Sequence, residues 1–418
     1  MVLNALMTLN SPLQLVFDNY SLVLMELVSY FIFLMAFVHA AGSPRRTQLV
    51  LGGFVAFHTL LFGLGQIDPN LAIMWHGQAL VMLFYGHVPV YAVLLFASLY
   101  YVAYIAALRL NLHFSSSVAA VGVLTMALVF PAELLGSKLL WWTWHDTDPT
   151  VEDRFLNVPY SILASHAYSA ASFHLCLEFL RSRMTIGFEF QEANAVTEYG
   201  VMAGAICLAL PVSMLAYGLT FQLFIDLLHV SSHIVLTGLV VLSTLWVWAS
   251  DRRGGDSEKN VVLWQYDGEW HHSWYDHALV QASMVYLGLM PLLLVVVNPS
   301  HLVSLGYHQL LGNCSHTTTY STLFGTPQTK FTYLCVLHFD EAFSFCGAPR
   351  SQLHVNDPWY KICGVEYAYN AFPNYLIVCA VATVTVVLVL REIFSLNRPA
   401  WVRRLPSAIA TEHVKVES

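Results

Sequence analysis

Ionisable side chains stand inside the apolar runs of this chain, where each is costly and so a functional hypothesis. Glu26, His58, Glu133, His166, Asp226, His229 and His233 are of this kind. The tightest pattern is Asp226-Leu-Leu-His229-Val-Ser-Ser-His233. On a helix, offsets of three and four put these three groups on one face. Two imidazoles at i and i+4 can hold one metal ion, zinc above all, with a carboxylate a turn away. A third ligand would come from another span, with His58 and His166 as candidates. The competing role for such histidines is hydrogen bonding between helices.

A second constellation runs from 71 to about 175. It holds Trp75-His76-Gly77-Gln78, then Tyr85-Gly86-His87-Val88-Pro89-Val90-Tyr91, then Glu133. Trp141-Trp142-Thr143-Trp144-His145-Asp146-Thr147-Asp148 and Asn157-Val158-Pro159-Tyr160-Ser161 follow. Glu133, Asp146, His145 and Trp144 are its candidate catalytic residues. His76, Gln78, His87, Trp142 and His166 are its candidate binding residues. The competing account is that Trp and Tyr collect at membrane interfaces and Pro starts helices. A third cluster, His271, His272, Asp276 and His277, reads as a solvated interfacial stretch. His174 and Glu178 read as a hydrogen-bonded i, i+4 pair.

These residues need long apolar elements to carry them. The chain is 57% hydrophobic and 11% charged, with mean hydropathy +0.59. An ordinary soluble domain carries about 25% charged residues, so a soluble globular protein is excluded. Nine spans are expected near 21–41, 49–66, 88–108, 116–136, 159–180, 199–217, 221–249, 278–298 and 374–391. The fold class is therefore an all-α, polytopic membrane bundle. Spans six and seven are expected to turn at Gly218, and 71–86 to be interfacial or re-entrant. No basic patch suggests nucleic acid; the expected partners are the bilayer itself and a lipid.

Of the 18 Lys and Arg residues, thirteen follow odd-numbered spans and five stand on the other side. The first side is then cytoplasmic and the N-terminus lumenal or extracellular. Residues 1–20 lack a basic stretch and do not read as a cleaved signal peptide. Cys314, Cys335, Cys346 and Cys363 all fall in the 299–373 loop, on the outer side. Two disulfides are expected there, with three pairings open. Asn313-Cys-Ser in the same loop is a glycosylation acceptor pattern; Asn19-Tyr-Ser lies too near the first span to serve. The organisation is thus a bundle of eight spans over 1–298, a stapled loop over 299–373, a ninth span over 374–391 and a cytoplasmic tail over 392–418. The compartment is the secretory pathway or the plasma membrane.

Two families are similar in part. The 71–175 layout resembles that of integral-membrane carotenoid hydratases, with a Val-Pro helix start, a buried acid, a Trp-x-Trp turn and a second Val-Pro helix start. The resemblance implies addition of water across a terminal isoprenoid double bond. Glu133 and Asp146 would then protonate the alkene, and Trp142 and Trp144 would line the cation. Such chemistry needs a carboxylic acid kept protonated by burial, and aromatic faces stabilise cations. The four-cysteine loop and the Trp75-His76-Gly77-Gln78 run depart from that family. The His229-x-x-x-His233 helix resembles that of alkaline ceramidase and adiponectin-receptor-like membrane hydrolases, which implies a zinc-dependent hydrolase. The span count and the missing Ser-and-Asp pair depart from it. Two classes of function are carried forward: an enzyme acting on a lipid or isoprenoid, and a transporter or receptor using the same groups as a proton or ligand path.

Overall fold

The computed structural model describes residues 7–65, 72–110, 112–184, 194–251, 274–322, 324–337, 339, 343–348, 357–368 and 370–395. Nine long helices occur among them: α1 Pro12–Ala41, α2 Arg45–Leu64, α3 Val90–Arg109, α4 Phe114–Gly136, α5 Tyr160–Met184, α6 Ala195–Asp226, α7 Ser232–Asp251, α8 Ala278–Val296 and α9 Ala371–Ser395. Eight are long and apolar enough to cross a membrane. The exception is α5, which gives its surface to serines, His166, His174 and the Glu178–Arg181 ion pair. It packs against α4 and α6, so its polar side chains meet protein rather than lipid. At the centre stands α3, with 89% of its apolar stretch buried, whereas α7 at the periphery has 11%.

Both Val-Pro starts are found where the sequence places them. Val88–Pro89 leads into α3 and Val158–Pro159 into α5, as proline's fixed φ suits a helix entry. The first helix begins earlier than expected, at Pro12, and bends at Asn19. Asn19 is buried there and donates to the Leu139 carbonyl, which explains physically why its acceptor pattern cannot serve.

The largest correction concerns spans six and seven. The chain does not turn at Gly218. Gly218–Gln222 instead forms a π-helical turn inside one continuous α6. The break comes at 227–231, where His229 adopts φ +52° and the Val230 N–H reaches back to the Phe224 carbonyl. Glycine tolerates a helix as well as a turn, so Gly218 alone did not decide the boundary.

The fold is also not all-α. Short strands join the connections at one end of the bundle into a cap: β1 Met7–Leu9, β2 Met74–His76, β3 Val81–Leu83, β4 Val88–Pro89, β5 Trp142–Trp144, β6 Arg154–Phe155 and β7 Val158–Pro159. The 299–373 region adds β8 Val303–Tyr307, β9 Thr317–Ser321, β10 Pro327–Phe331, β11 Phe343–Ser344 and β12 Trp359–Gly364. β1 pairs with β3 and β2 with β5, while β12 lies between β11 and β8. Residues 72–86, the described part of the stretch expected to be interfacial or re-entrant, therefore belong to this cap. Cys314 bonds Cys335 and Cys346 bonds Cys363, so one of the three open pairings is selected.

Candidate functional site

Glu133 lies two residues past Pro131 in α4. Pro131 has no N–H and leaves the Ala127 carbonyl without its helical donor. The Tyr286 hydroxyl, from α8, donates to the Leu128 carbonyl at 3.0 Å and accepts from the Ala132 N–H at 3.2 Å. A phenol thus bonds the backbone pair one residue beyond the donor that proline lacks. Gly136 follows, and a Cβ there would collide with the Trp142 ring, so only glycine lets Trp142 seat against α4.

The Glu133 carboxylate is 2% exposed. Its Oε1 lies 3.0 Å from His166 Nε2, and His166 Nδ1 lies 2.9 Å from the Tyr100 hydroxyl. With Tyr100 donating to Nδ1, His166 donates from Nε2 to Oε1. The other carboxylate oxygen, Oε2, is buried without a hydrogen-bond partner.

Around this relay the side chains form a closed ring of aromatic contacts. His58 meets Phe62, Phe62 meets His76, His76 meets Trp142, Trp142 meets Phe96 and Phe96 returns to His58, at centroid separations of 6.4, 5.4, 6.1, 6.5 and 6.2 Å. His166 lies 4.9 Å from Phe96, and Trp144 6.5 Å from Trp142. His58 Nε2, both ring nitrogens of His76, the Tyr91 hydroxyl and the indole nitrogens of Trp142 and Trp144 are also buried without hydrogen-bond partners. Each such atom left unpaired costs about 1–3 kcal/mol, so a cluster of them calls for a functional explanation. Burial pushes His76 down to about 4. Beside the ring, Glu26 accepts from Tyr30 and from the Leu80 N–H. Tyr91 feels both Glu26 and Glu133.

Strand geometry separates residues that the sequence grouped. Successive side chains on β5 point to opposite faces. Trp142 and Trp144 share the ring face, whereas Thr143 turns to His308 at 3.4 Å. Just past the strand, His145 contacts Gln309 at 3.3 Å, and Gln309 also accepts from the Asp146 N–H. His145 and Asp146 are thus held in the cap while Glu133 belongs to the bundle. Gln78 is spent on the turn that contains it: it donates to the Gly86 carbonyl and accepts from Asn10. His87 stacks on Tyr307 at 4.0 Å.

The cap has its own buried ion pair, which sequence reasoning passed over. Lys330 lies 2.8 Å from Asp148, at 6% and 3% side-chain exposure. Burial opposes the Asp148 charge, but Lys330 and Thr150 together hold its carboxyl below the usual range. The same burial, with Lys330 nearby, pushes His145 down to about 4; burial alone takes His308 to about 3. The alternation of Thr317–Ser321 and Pro327–Phe331 was the available signal for a hairpin that could carry Lys330 inward.

The expected metal site is corrected. Asp226 ends α6, facing Gln222 and Gln328. His229 is exposed in the turn, and His233 is exposed at the start of α7, near Tyr160. The helix break removes the shared face on which the zinc reading rested. His58 and His166 belong to the ring. Among the described residues no three His, Cys, Asp or Glu side chains form a metal-holding group, so the donor set does not fit zinc. His174 and Glu178 do not pair with each other as expected: His174 bonds Ser117, and Glu178 bonds Arg181. His277 caps α8 and Asp276 is exposed; His271 and His272 lie outside the described residues. Asn313 is exposed and accepts from Ser315.

With this geometry in view, the comparison with known families can be read. A model described as a domain of unknown function (DUF7802) matches residues 2–395. The chain belongs to this family. No curated protein and no solved structure matches it. The DUF7802 match spans the helices, the cap and every residue of the Glu133 ring.

Proposed function

We propose that this DUF7802 protein is a multi-pass membrane enzyme that adds water to a carbon–carbon double bond of an isoprenoid or related lipid. The observation that carries the reading is the partnerless Oε2 of Glu133, fixed by the Tyr100–His166 relay beside a ring of aromatic faces. The resemblance of 71–175 to carotenoid hydratases supports the same chemistry.

Glu133 acts as the general acid. Its Oε2–H bond breaks as a C–H bond forms at the alkene, leaving a carbocation and a carboxylate. Phe62, Phe96 and Trp142 stabilise the cation through their ring faces. Water adds to the cation, and its surplus proton returns to Glu133. Atoms and charge balance with no further reagent. His145 and Asp146 support the cap that covers the site. The outer orientation of that cap, in the secretory pathway or plasma membrane, is part of the proposal and rests on the cation asymmetry.

The test is expression of the full chain in a bacterium that makes lycopene, with neutral lipids analysed by mass spectrometry in ¹⁸O-labelled water. A product heavier by one labelled water is expected. Glu133→Gln abolishes it, and His166→Ala reduces it by about 10²-fold or more. A neutral-lipid profile unaffected by Glu133→Gln would sink the reading.

A second reading, a proton or ligand path, draws on buried imidazoles beyond Glu133. His174 bonds Ser117, and His39 bonds Tyr101 and lies 5.0 Å from His277. Proton flux in proteoliposomes that Glu133→Gln removes, with no lipid product, would favour it.

A further inference from the structure

The polarity of the ring points to one kind of guest. His58 Nδ1 lies 2.8 Å from the Phe54 carbonyl. A carbonyl only accepts, so this nitrogen carries the proton and donates. In the neutral imidazole, Nε2 is then a bare acceptor, and it has no partner. The indole nitrogens of Trp142 and Trp144 can only donate, and they too have none. A single small group that satisfied both kinds of atom would have to donate and accept. Ethers, esters, carboxylates and phosphates only accept. A hydroxyl does both.

Charge points the same way. Among the described residues no lysine or arginine hydrogen-bonds to His58, His76, Tyr91 or Tyr100, and the carboxyl groups of Glu26 and Glu133 both act on Tyr91. The buried cations of the cap are engaged elsewhere, Lys330 on Asp148 and Lys138 on the Val365 and Glu366 carbonyls. An anionic head group would enter without a counter-charge and against two carboxyl groups, which is costly.

We infer that the ring of His58, Phe62, His76, Trp142 and Phe96 is a hydroxyl-recognition site for a neutral isoprenoid alcohol, an inference that rests on the isoprenoid reading of Glu133. The aromatic faces take the apolar chain, His58 accepts from the hydroxyl and the indoles donate to it. An alcohol is also what hydration yields, so the ring holds the product end of the same reaction.

The test is saturable binding of tritiated geranylgeraniol to the full chain in mild detergent, with competition by geranylgeraniol, its methyl ether and geranylgeranoic acid. The alcohol is expected to compete at least about tenfold better than either analogue, because a site built for a hydroxyl rejects ligands that leave its groups unpaired. His58→Leu removes the preference of alcohol over ether, and His58→Gln, which keeps an acceptor, retains it. Should His58→Leu fail to fold, the wild-type competition decides alone. Absent saturable binding, equal competition by the ether, stronger competition by the acid, or an unchanged preference in folded His58→Leu would each overturn the inference. Glu133→Gln separates the two claims. It should bind the alcohol and form no hydrated product. Product formation by Glu133→Gln would end the hydration reading alone. Failure of the alcohol to bind, with Glu133-dependent hydration intact, would end the ring inference alone.

Discussion

The position of Glu133 depends on one phenol. Pro131 removes a backbone donor, and the Tyr286 hydroxyl bridges the Leu128 carbonyl and the Ala132 N–H one residue beyond it. Tyr286→Phe keeps the ring and deletes only that bridge. Two buried backbone groups would lose that hydrogen-bond partner, at about 0.5–1.5 kcal/mol each. A lower melting temperature in mild detergent is expected, together with weaker Glu133-dependent activity as α4 relaxes. A variant with unchanged melting and activity would show that the bridge does not position the acid. Asn19 makes a similar repair in α1, where its side chain binds Leu139, Ser21 and Leu22 around the bend.

Among the elements, β5 does the sorting. Its two-residue period sends Trp142 and Trp144 to the ring and Thr143 towards the imidazole of His308. Buried, uncharged imidazoles stand on both sides of this strand, His76 in the ring and His145 and His308 in the cap. His76, His145 and His308 lie at about 4, about 4 and about 3, against an ordinary 6.5. As pH falls below 6.5 the unfolded chain takes up these protons first, so cap stability declines from there towards pH 4. Asp148 acts at still lower pH: its carboxyl is depressed from 3.8, so its contribution is full above that value and lost below it. Hydrogen exchange over β5 and β8, corrected for intrinsic rates, should show weaker protection at about pH 5 than at about pH 7. His308→Phe should flatten the difference. Equal protection at both pH values would mean that these imidazoles are not held neutral by the fold.

At the scale of the whole molecule, alternate connections gather at opposite ends. The N-terminal strand, 72–89, 137–159 and the disulfide-bonded region meet in one cap through β1–β3, β2–β5 and the Lys330–Asp148 pair. At the other end Arg46 and Arg181 meet Glu198. That separation is what an up-and-down bundle in a bilayer requires, and the cation asymmetry is the ground for our proposal that the Arg-rich end faces the cytoplasm. Glycosidase-sensitive modification of Asn313 is expected in a eukaryotic cell, with none at an acceptor engineered into 252–262. Modification at 252–262 with Asn313 bare would invert the orientation. Such a bundle keeps Glu133 and its ring buried, as the proposed carbocation chemistry requires.

Much of this was legible in the amino-acid order, because hydrocarbon accepts only long apolar helices and so writes them openly into composition. Both Val-Pro helix starts, the polar Glu133 and His166, and the cysteine-bearing loop followed from residue type and spacing. Tertiary structure alone decided which polar groups meet. Helix rotation brought Glu133 to His166, and Tyr286 came from a helix far along the chain. A left-handed residue at His229 dismantled the Asp226, His229 and His233 face that an unbroken helix would have made. Strand pairing between distant loops built a cap that local pattern did not announce, because each strand is only two to six residues long. Periodicity tells which face of an element is buried, but partners far apart in sequence are chosen by packing, and packing is a property of the whole fold.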